Sequence, residues 1–127
     1  MKNSKDKKIL IVDDDENLQA ILKDKLTDSG FDAIGAMNGE DGLKKALELH
    51  PDIILLDVLM PKMNGWEMLE KLRKDAWGKS ANVIMLTVLD SADDIARAME
   101  KGSFRYFLKT NCNPDDIVRQ VEEILGR

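Results

Sequence analysis

The chain has 127 residues, 24 of them acidic and 19 basic, for a formal charge of −5 with its single histidine neutral. That length suits one domain with a real hydrophobic core, and the acidic balance argues against a broadly basic face for nucleic acid or an anionic membrane. One cysteine, Cys112, and one histidine, His50, exclude a disulfide framework, a thiolate zinc site and any two-histidine metal motif.

Residues 1–7 read as a short basic tail, and residues 8–127 as a single domain. No apolar stretch follows the N-terminal lysines, so they do not begin a signal peptide. The longest apolar runs are far too short to span a bilayer. The expected setting is therefore cytoplasmic, with no membrane partner and no direct contact with nucleic acid.

The first strand is the apolar run 9–12, which ends at acids. Leu18, Ile21, Leu22 and Leu26 then recur at helical spacing, and Gly30 suits the end of that helix. Residues 31–36 form a second strand. Leu43, Ala46 and Leu47 mark a helix stopped by Pro51. Residues 53–56 form the third strand, and a helix entered from Asn64-Gly65 carries Met68, Leu69 and Leu72. A fourth strand covers 83–86. Ser91 with Asp94 three residues on starts a helix through Ile95, Ala98 and Met99, which Gly102 ends. A fifth strand covers 104–108. Asn113-Pro114 opens the last helix, lined by Ile117, Val121, Ile124 and Leu125.

Five β/α units with continuous apolar strands predict a parallel sheet covered on both faces. Right-handed crossovers make it an α/β, doubly wound, three-layer sandwich of five strands and five helices. In such sheets ligands bind beyond the carboxyl ends of the strands. Those ends carry Asp13, Asp14 and Asp15 after the first strand, Asp57 after the third, Thr87 after the fourth and Lys109 after the fifth. Fold stability asks for none of these at those places.

Carboxylates crowded into one crevice repel one another. An all-oxygen donor set without His or Cys suits a hard cation, Mg²⁺ better than a full Ca²⁺ cage. With a divalent ion and Lys109 opposite Asp13, Asp14 and Asp57, the site is near neutral. It can then accept a phosphoryl group, with the Thr87 hydroxyl donating to one oxygen and one carboxylate acting as nucleophile.

The segments Ile9-Leu10-Ile11-Val12-Asp13-Asp14-Asp15, Leu55-Leu56-Asp57-Val58-Leu59-Met60-Pro61 with Asn64-Gly65, Leu86-Thr87, and Tyr106-Phe107-Leu108-Lys109 together resemble the CheY-like receiver domain of two-component response regulators. Their order and separations also look like the family's, over nearly the whole chain. The resemblance implies a flavodoxin-like (β/α)5 fold with strand order 2-1-3-4-5. It implies that Asp57 accepts a phosphoryl group from the phosphohistidine of a sensor histidine kinase or a phosphotransfer protein. Asp14 would bind Mg²⁺ (or Mn²⁺ in its place) directly and Asp13 mainly through water, with Asp57 and the Leu59 backbone carbonyl as further metal ligands. Lys109 would pair with the phosphoryl group, Thr87 would turn toward it, and Tyr106 would follow by changing rotamer. Pro61 and Gly65 would shape the loop. Output would pass through the fourth helix, fifth strand and fifth helix, with Arg97, Glu100, Lys101, Arg105, Arg119 and Glu122 exposed there.

Two positions depart from the family. Thr110 stands where proline usually follows the lysine, so a cis peptide after Lys109 is in doubt. Val88 stands where a smaller residue commonly follows the threonine, and is expected to slow phosphoryl exchange. Trp66 and Trp77 read as partly exposed helix-end residues, His50 as a surface helix stop, Cys112 as a thiol without a partner, and Asp15 and Glu16 as first-turn acids. The chain ends just past its last helix, which reads as a receiver without an output domain, either standing alone or cut from a longer protein. A phosphorylation-independent adaptor is the alternative. A flavin carrier is disfavoured by the acids after the first strand. A phosphatase is disfavoured by Leu59, where a second acid would be wanted.

Overall fold

The computed structural model describes residues 7–103 and 105–126. Its elements are β1 (Lys8–Val12), α1 (Glu16–Asp28), β2 (Asp32–Ala36), α2 (Gly39–Leu49), β3 (Ile53–Leu56), α3 (Gly65–Arg73), β4 (Val83–Thr87), α4 (Ala92–Glu100), β5 (Arg105–Leu108) and α5 (Pro114–Ile124). All five strands are parallel, in the order β2-β1-β3-β4-β5.

Period-two alternation divides the core between the two faces of the sheet. Leu10, Val12, Ile54, Leu56, Val83 and Met85 point to one side, where Ala46 of α2, Met68, Leu69 and Leu72 of α3, and Ala98 of α4 cover them. Ile9, Ile11, Ile53, Leu55, Ile84 and Leu86 point to the other, against Leu22 and Leu26 of α1 and Ile117, Val118 and Val121 of α5. Helices cover both faces, which is why the central strands β1, β3 and β4 read as continuous apolar runs, while the edge strands β2 and β5 are only partly buried.

The helix boundaries follow the local chemistry. Side chains cap each of the five helices: Asp15, Asn38, Asn64, Ser91 and Asn113 accept from backbone amides of the first turn. Asp115 and Asp116 follow Pro114, and Asp116 closes a reciprocal box with Asn113. His50 ends α2 in the left-handed region at φ 48°, directly before Pro51.

Several expectations change. Asp15 is the cap of α1 and not a first-turn acid. β2 starts one residue later than expected, because the Phe31 amide donates to Leu26 O of α1 at 3.0 Å while its ring is buried on the α1/α5 side. β4 runs one residue further, so Thr87 lies within the strand. A 3₁₀ turn at Gly78–Ser80 had no expected counterpart. Trp66 is only 7% exposed, packed on the first core with the Arg97 guanidinium 4.6 Å above its ring. Its indole lies inward because α3 turns that face to the sheet, which an isolated helix-end position does not reveal. Lys101, Arg105 and Glu122 are half-buried and not exposed: Lys101 pairs with Glu70, and Arg105 donates to Gln120 across to α5. The Lys109–Thr110 peptide is trans, as are all the described peptide bonds. The basic tail up to residue 6, and Phe104 at the expected start of β5, lie outside the described residues.

Candidate functional site

Parallel pairing places the ends of β1, β3, β4 and β5 on one rim. The Asp57 amide donates to Val12 O at 3.0 Å and the Lys109 amide to Thr87 O at 2.9 Å, so the ladder continues one residue beyond β3 and β5. Asp57 therefore stands beside Asp13, and Lys109 reaches both. The Lys109 Nζ lies 3.0 Å from Asp57 Oδ2 and 2.8 Å from Asp13 Oδ2. Asp57 Oδ1 accepts from the Val58 amide at 2.7 Å, and Asp13 Oδ1 from the Asp15 amide at 2.9 Å.

Asp13 and Asp57 are buried, at 2% and 5% exposure, whereas Asp14 is exposed. One carboxylate oxygen from each of Asp13, Asp14 and Asp57 lies within 4.8 Å of the other two. Burial pushes the Asp13 carboxyl up, and the Asp57 charge adds to this against the opposing pull of Lys109. Burial alone would push the Lys109 ammonium down, but the Asp13 and Asp57 carboxylates paired with it outweigh this and hold the ammonium above its usual range. The two shifts express one imbalance. The cation has two anions to satisfy it, and the anions share one cation.

The same imbalance is visible in the geometry. Asp13 Oδ2 is fully buried and close to Lys109 Nζ, yet it accepts no well-aligned hydrogen bond. A buried carboxylate oxygen without a directed partner is costly. With one ammonium facing three carboxylates, the charge still to be neutralised equals that of a divalent ion. The donor set is all oxygen and opens to solvent at Asp14, which fits Mg²⁺ better than Zn²⁺.

Thr87 is fully buried at its backbone position, and its hydroxyl accepts from the Leu89 amide at 3.4 Å. The Tyr106 hydroxyl donates to Leu89 O at 2.7 Å, and its ring packs on the first core, on the α3/α4 side of the sheet. The β4–α4 connection is thus held between the threonine and the tyrosine. Val88, between them, is 50% exposed, and Leu59, two residues past Asp57, is 53% exposed. In the loop after β3, the Gly65 amide donates to Val58 O at 2.9 Å, and a Cβ at Gly65 would collide with the Asp57 carbonyl. Only glycine lets α3 begin so close to the acid. Lys62 adopts φ 65° in the same loop.

The structure therefore brings together Asp13, Asp14, Asp57 and Lys109, and sets Thr87 and Tyr106 on the adjoining connection. One further side chain touches this rim without any motif signal. Gln19, in the second turn of α1, donates to the backbone carbonyls at the ends of β1 and β2. Its position in a polar helix segment looks like any exposed glutamine, so spacing alone does not find it.

Comparison with known proteins agrees with this arrangement. The sequence model of the response regulator receiver domain matches residues 9–122. The chain is 39% identical over 121 residues to the alkaline phosphatase synthesis transcriptional regulatory protein PhoP of Bacillus subtilis (strain 168), covering 95% of this chain and 49% of that protein. It is 34% identical over 120 residues to the DNA-binding dual master transcriptional regulator RpaA of Synechocystis, covering 94% of this chain and 46% of that protein. Among solved structures it superposes on the chemotaxis protein CheY4 of Vibrio cholerae with a TM-score of 0.85, at 27% identity, covering 93% of this chain and 98% of that one. The chain thus spans about half the length of the curated relatives it matches. Those names weigh against the expectation of no contact with nucleic acid, which rested on the charge of these 127 residues alone. Fold, rim chemistry and sequence match agree, and the chain belongs to the response regulator receiver domain family.

Proposed function

We propose that this receiver domain is a phosphorylation-controlled signalling module whose acceptor is Asp57. One observation carries the reading: a buried carboxylate is held between the Val58 amide and the Lys109 ammonium, beside two further acids, of which Asp13 shares the same ammonium and has an oxygen without a directed hydrogen bond. The donor is the phosphohistidine of a sensor histidine kinase or phosphotransfer protein. An Asp57 carboxylate oxygen forms the new O–P bond as the N–P bond breaks, and the electron pair leaves with the imidazole. Bound Mg²⁺ supplies charge neutralisation for the phosphoryl oxygens. Asp14 would hold it directly and Asp13 mainly through water, with Asp57 and the Leu59 carbonyl as the further protein ligands, and Mn²⁺ would serve in its place.

Lys109 passes from its Asp57 ion pair to a phosphoryl oxygen. Thr87 turns its hydroxyl to another oxygen and releases the Leu89 amide, and Tyr106 follows. These bonds exist only in the phosphorylated state, so they shift the population of the α4–β5–α5 face toward its output form. A receiver of this kind is a signalling module and not a conventional enzyme. Its setting is read as cytoplasmic, and among the described residues no helix is long and apolar enough to cross a membrane. The adaptor alternative gains no support from the site, because each reactive group it would have lost is present.

The test is intact mass after incubation with a small phosphodonor. The wild-type chain gains one phosphoryl group with Mg²⁺ and none with a chelator; no gain under either condition refutes the reading. Val88→Ala is expected to raise the rates of phosphorylation and dephosphorylation a few-fold, since a branched, half-exposed side chain adjoins Thr87. Unchanged rates in a time course of the same mass measurement would show that Val88 exerts no such restraint.

A further inference from the structure

Gln19 is held where it is by two independent features. Its Nε2 lies 3.0 Å from Ala36 O, 3.1 Å from Asp13 O and 3.4 Å from Ile11 O. Three carbonyls around one atom fix the amide orientation, because only the nitrogen can donate. Its two protons serve the two nearer carbonyls, and the third is a longer, shared contact. The second feature is on β2, where a Cβ at Gly35 would collide with the Gln19 amide oxygen. Gly35 thus provides the notch in which the side chain lies.

These contacts reach the site through the backbone. The Asp13 amide donates to Ala36 O at 3.0 Å, and Gln19 closes a second link from Ala36 O to the Asp13 carbonyl. The residue whose carboxylate carries the unsatisfied buried oxygen is therefore tied on both sides of its peptide to the end of β2. The Asp13 and Asp14 carboxylates sit where the chain leaves the ladder, the place where a free strand end would otherwise sample several directions. Groups outside the ligand set that fix ligand direction commonly govern metal affinity.

We infer that Gln19 is a positioning residue, seated by Gly35, that aims the Asp13-Asp14 pair at the divalent cation. The inference rests on the cation-assisted reading of the acid pocket above. It predicts that loss of the Gln19 donor weakens Mg²⁺ binding more than it weakens the fold.

The experiment measures Mg²⁺ dissociation constants by titration calorimetry, with thermal unfolding of the metal-free protein alongside. Gln19→Met keeps length and packing but removes the donor. Gly35→Ala keeps the glutamine but displaces its end from the notch. Each is expected to raise the dissociation constant about tenfold, and the double variant to be no weaker than either single one, because both remove the same contacts. Constants within twofold of wild type in both single variants overturn the role of Gln19. So does strict multiplication of the two effects in the double variant. Gly35→Ala leaves the Gln19 side chain in the protein, so it decides the matter should Gln19→Met fold poorly. A wild-type chain that takes up no Mg²⁺ overturns the underlying reading of the pocket. A wild-type chain that binds it while the variants bind equally well overturns only the assignment to Gln19.

Discussion

Asp57→Asn is expected to reduce phosphoryl uptake to background while leaving the fold intact. The amide is a poor nucleophile, since its lone pair is delocalised and it carries no charge. Its oxygen still accepts from the Val58 amide or from Lys109, the two bonds that the carboxylate makes at 2.7 and 3.0 Å. The substitution also removes a neighbouring charge that pushes the Asp13 carboxyl up, so the metal-free variant unfolds at a temperature no lower than wild type. Intact mass after incubation with Mg²⁺ and a phosphodonor, with circular dichroism as the control for folding, measures both parts. Uptake by the variant equal to that of wild type would place the acceptor elsewhere.

Lys109→Met is expected to destabilise the metal-free protein by about 3–5 kcal/mol at neutral pH, the scale for breaking a buried ion pair by removing one partner. The Asp13 and Asp57 side chains are 2% and 6% exposed, and Lys109 itself only 17%, so water does little to relieve the stranded charges. The pH dependence has a definite sign. The Lys109 ammonium is held above 10.5 in the folded state, so its contribution is fully present below that value and is lost as the pH rises through the raised one. The Asp13 carboxyl is held above 3.8, so the folded protein takes up its proton before the unfolded chain does. The penalty in the variant therefore shrinks as the pH falls from neutral toward 3.8. Mg²⁺ at neutral pH restores part of the loss by replacing one cation with another. Denaturant unfolding of wild type and variant, with and without Mg²⁺ across that range, tests each of these. A deficit that is absent at neutral pH, or that grows on acidification, would show that the ion pairs contribute little.

Much of the site was legible because a parallel α/β sheet maps sequence onto space so directly. An apolar run of four or five residues is a strand, and the residue after it lies on the rim. That rule located Asp13, Asp14, Asp57 and Lys109 before any contact was known, and it located Thr87 within one residue. It did so without needing the order of the strands, since every strand in such a sheet points the same way. Turn and cap chemistry was equally local: Ser91 with Asp94, and Asn113 with Pro114 and Asp116, act within one helical turn.

What stayed hidden depends on which element lies alongside which. Trp66 reads as a helix-end aromatic, yet α3 presents it to the first core and α4 lays Arg97 over it. Lys101 and Arg105 read as solvent charges, yet α3 and α5 supply their partners. Phe31 reads as the first residue of a strand, yet it anchors the opposite core. Gln19 is the plainest case, for its role exists only because β2 runs beside β1 and carries a glycine at residue 35.

By itself, then, the sequence determined the five β/α units, the rim they create and the types of group on it, because periodicity and capping are short-range. Only the tertiary structure decided the balance of charge within the rim: which carboxylates are buried, that one ammonium is shared between two of them, and that an Asp13 oxygen is left without a directed partner. Burial and pairing are properties of neighbours distant in the chain, and at −5 overall the net charge could not foretell where the uncompensated part would sit.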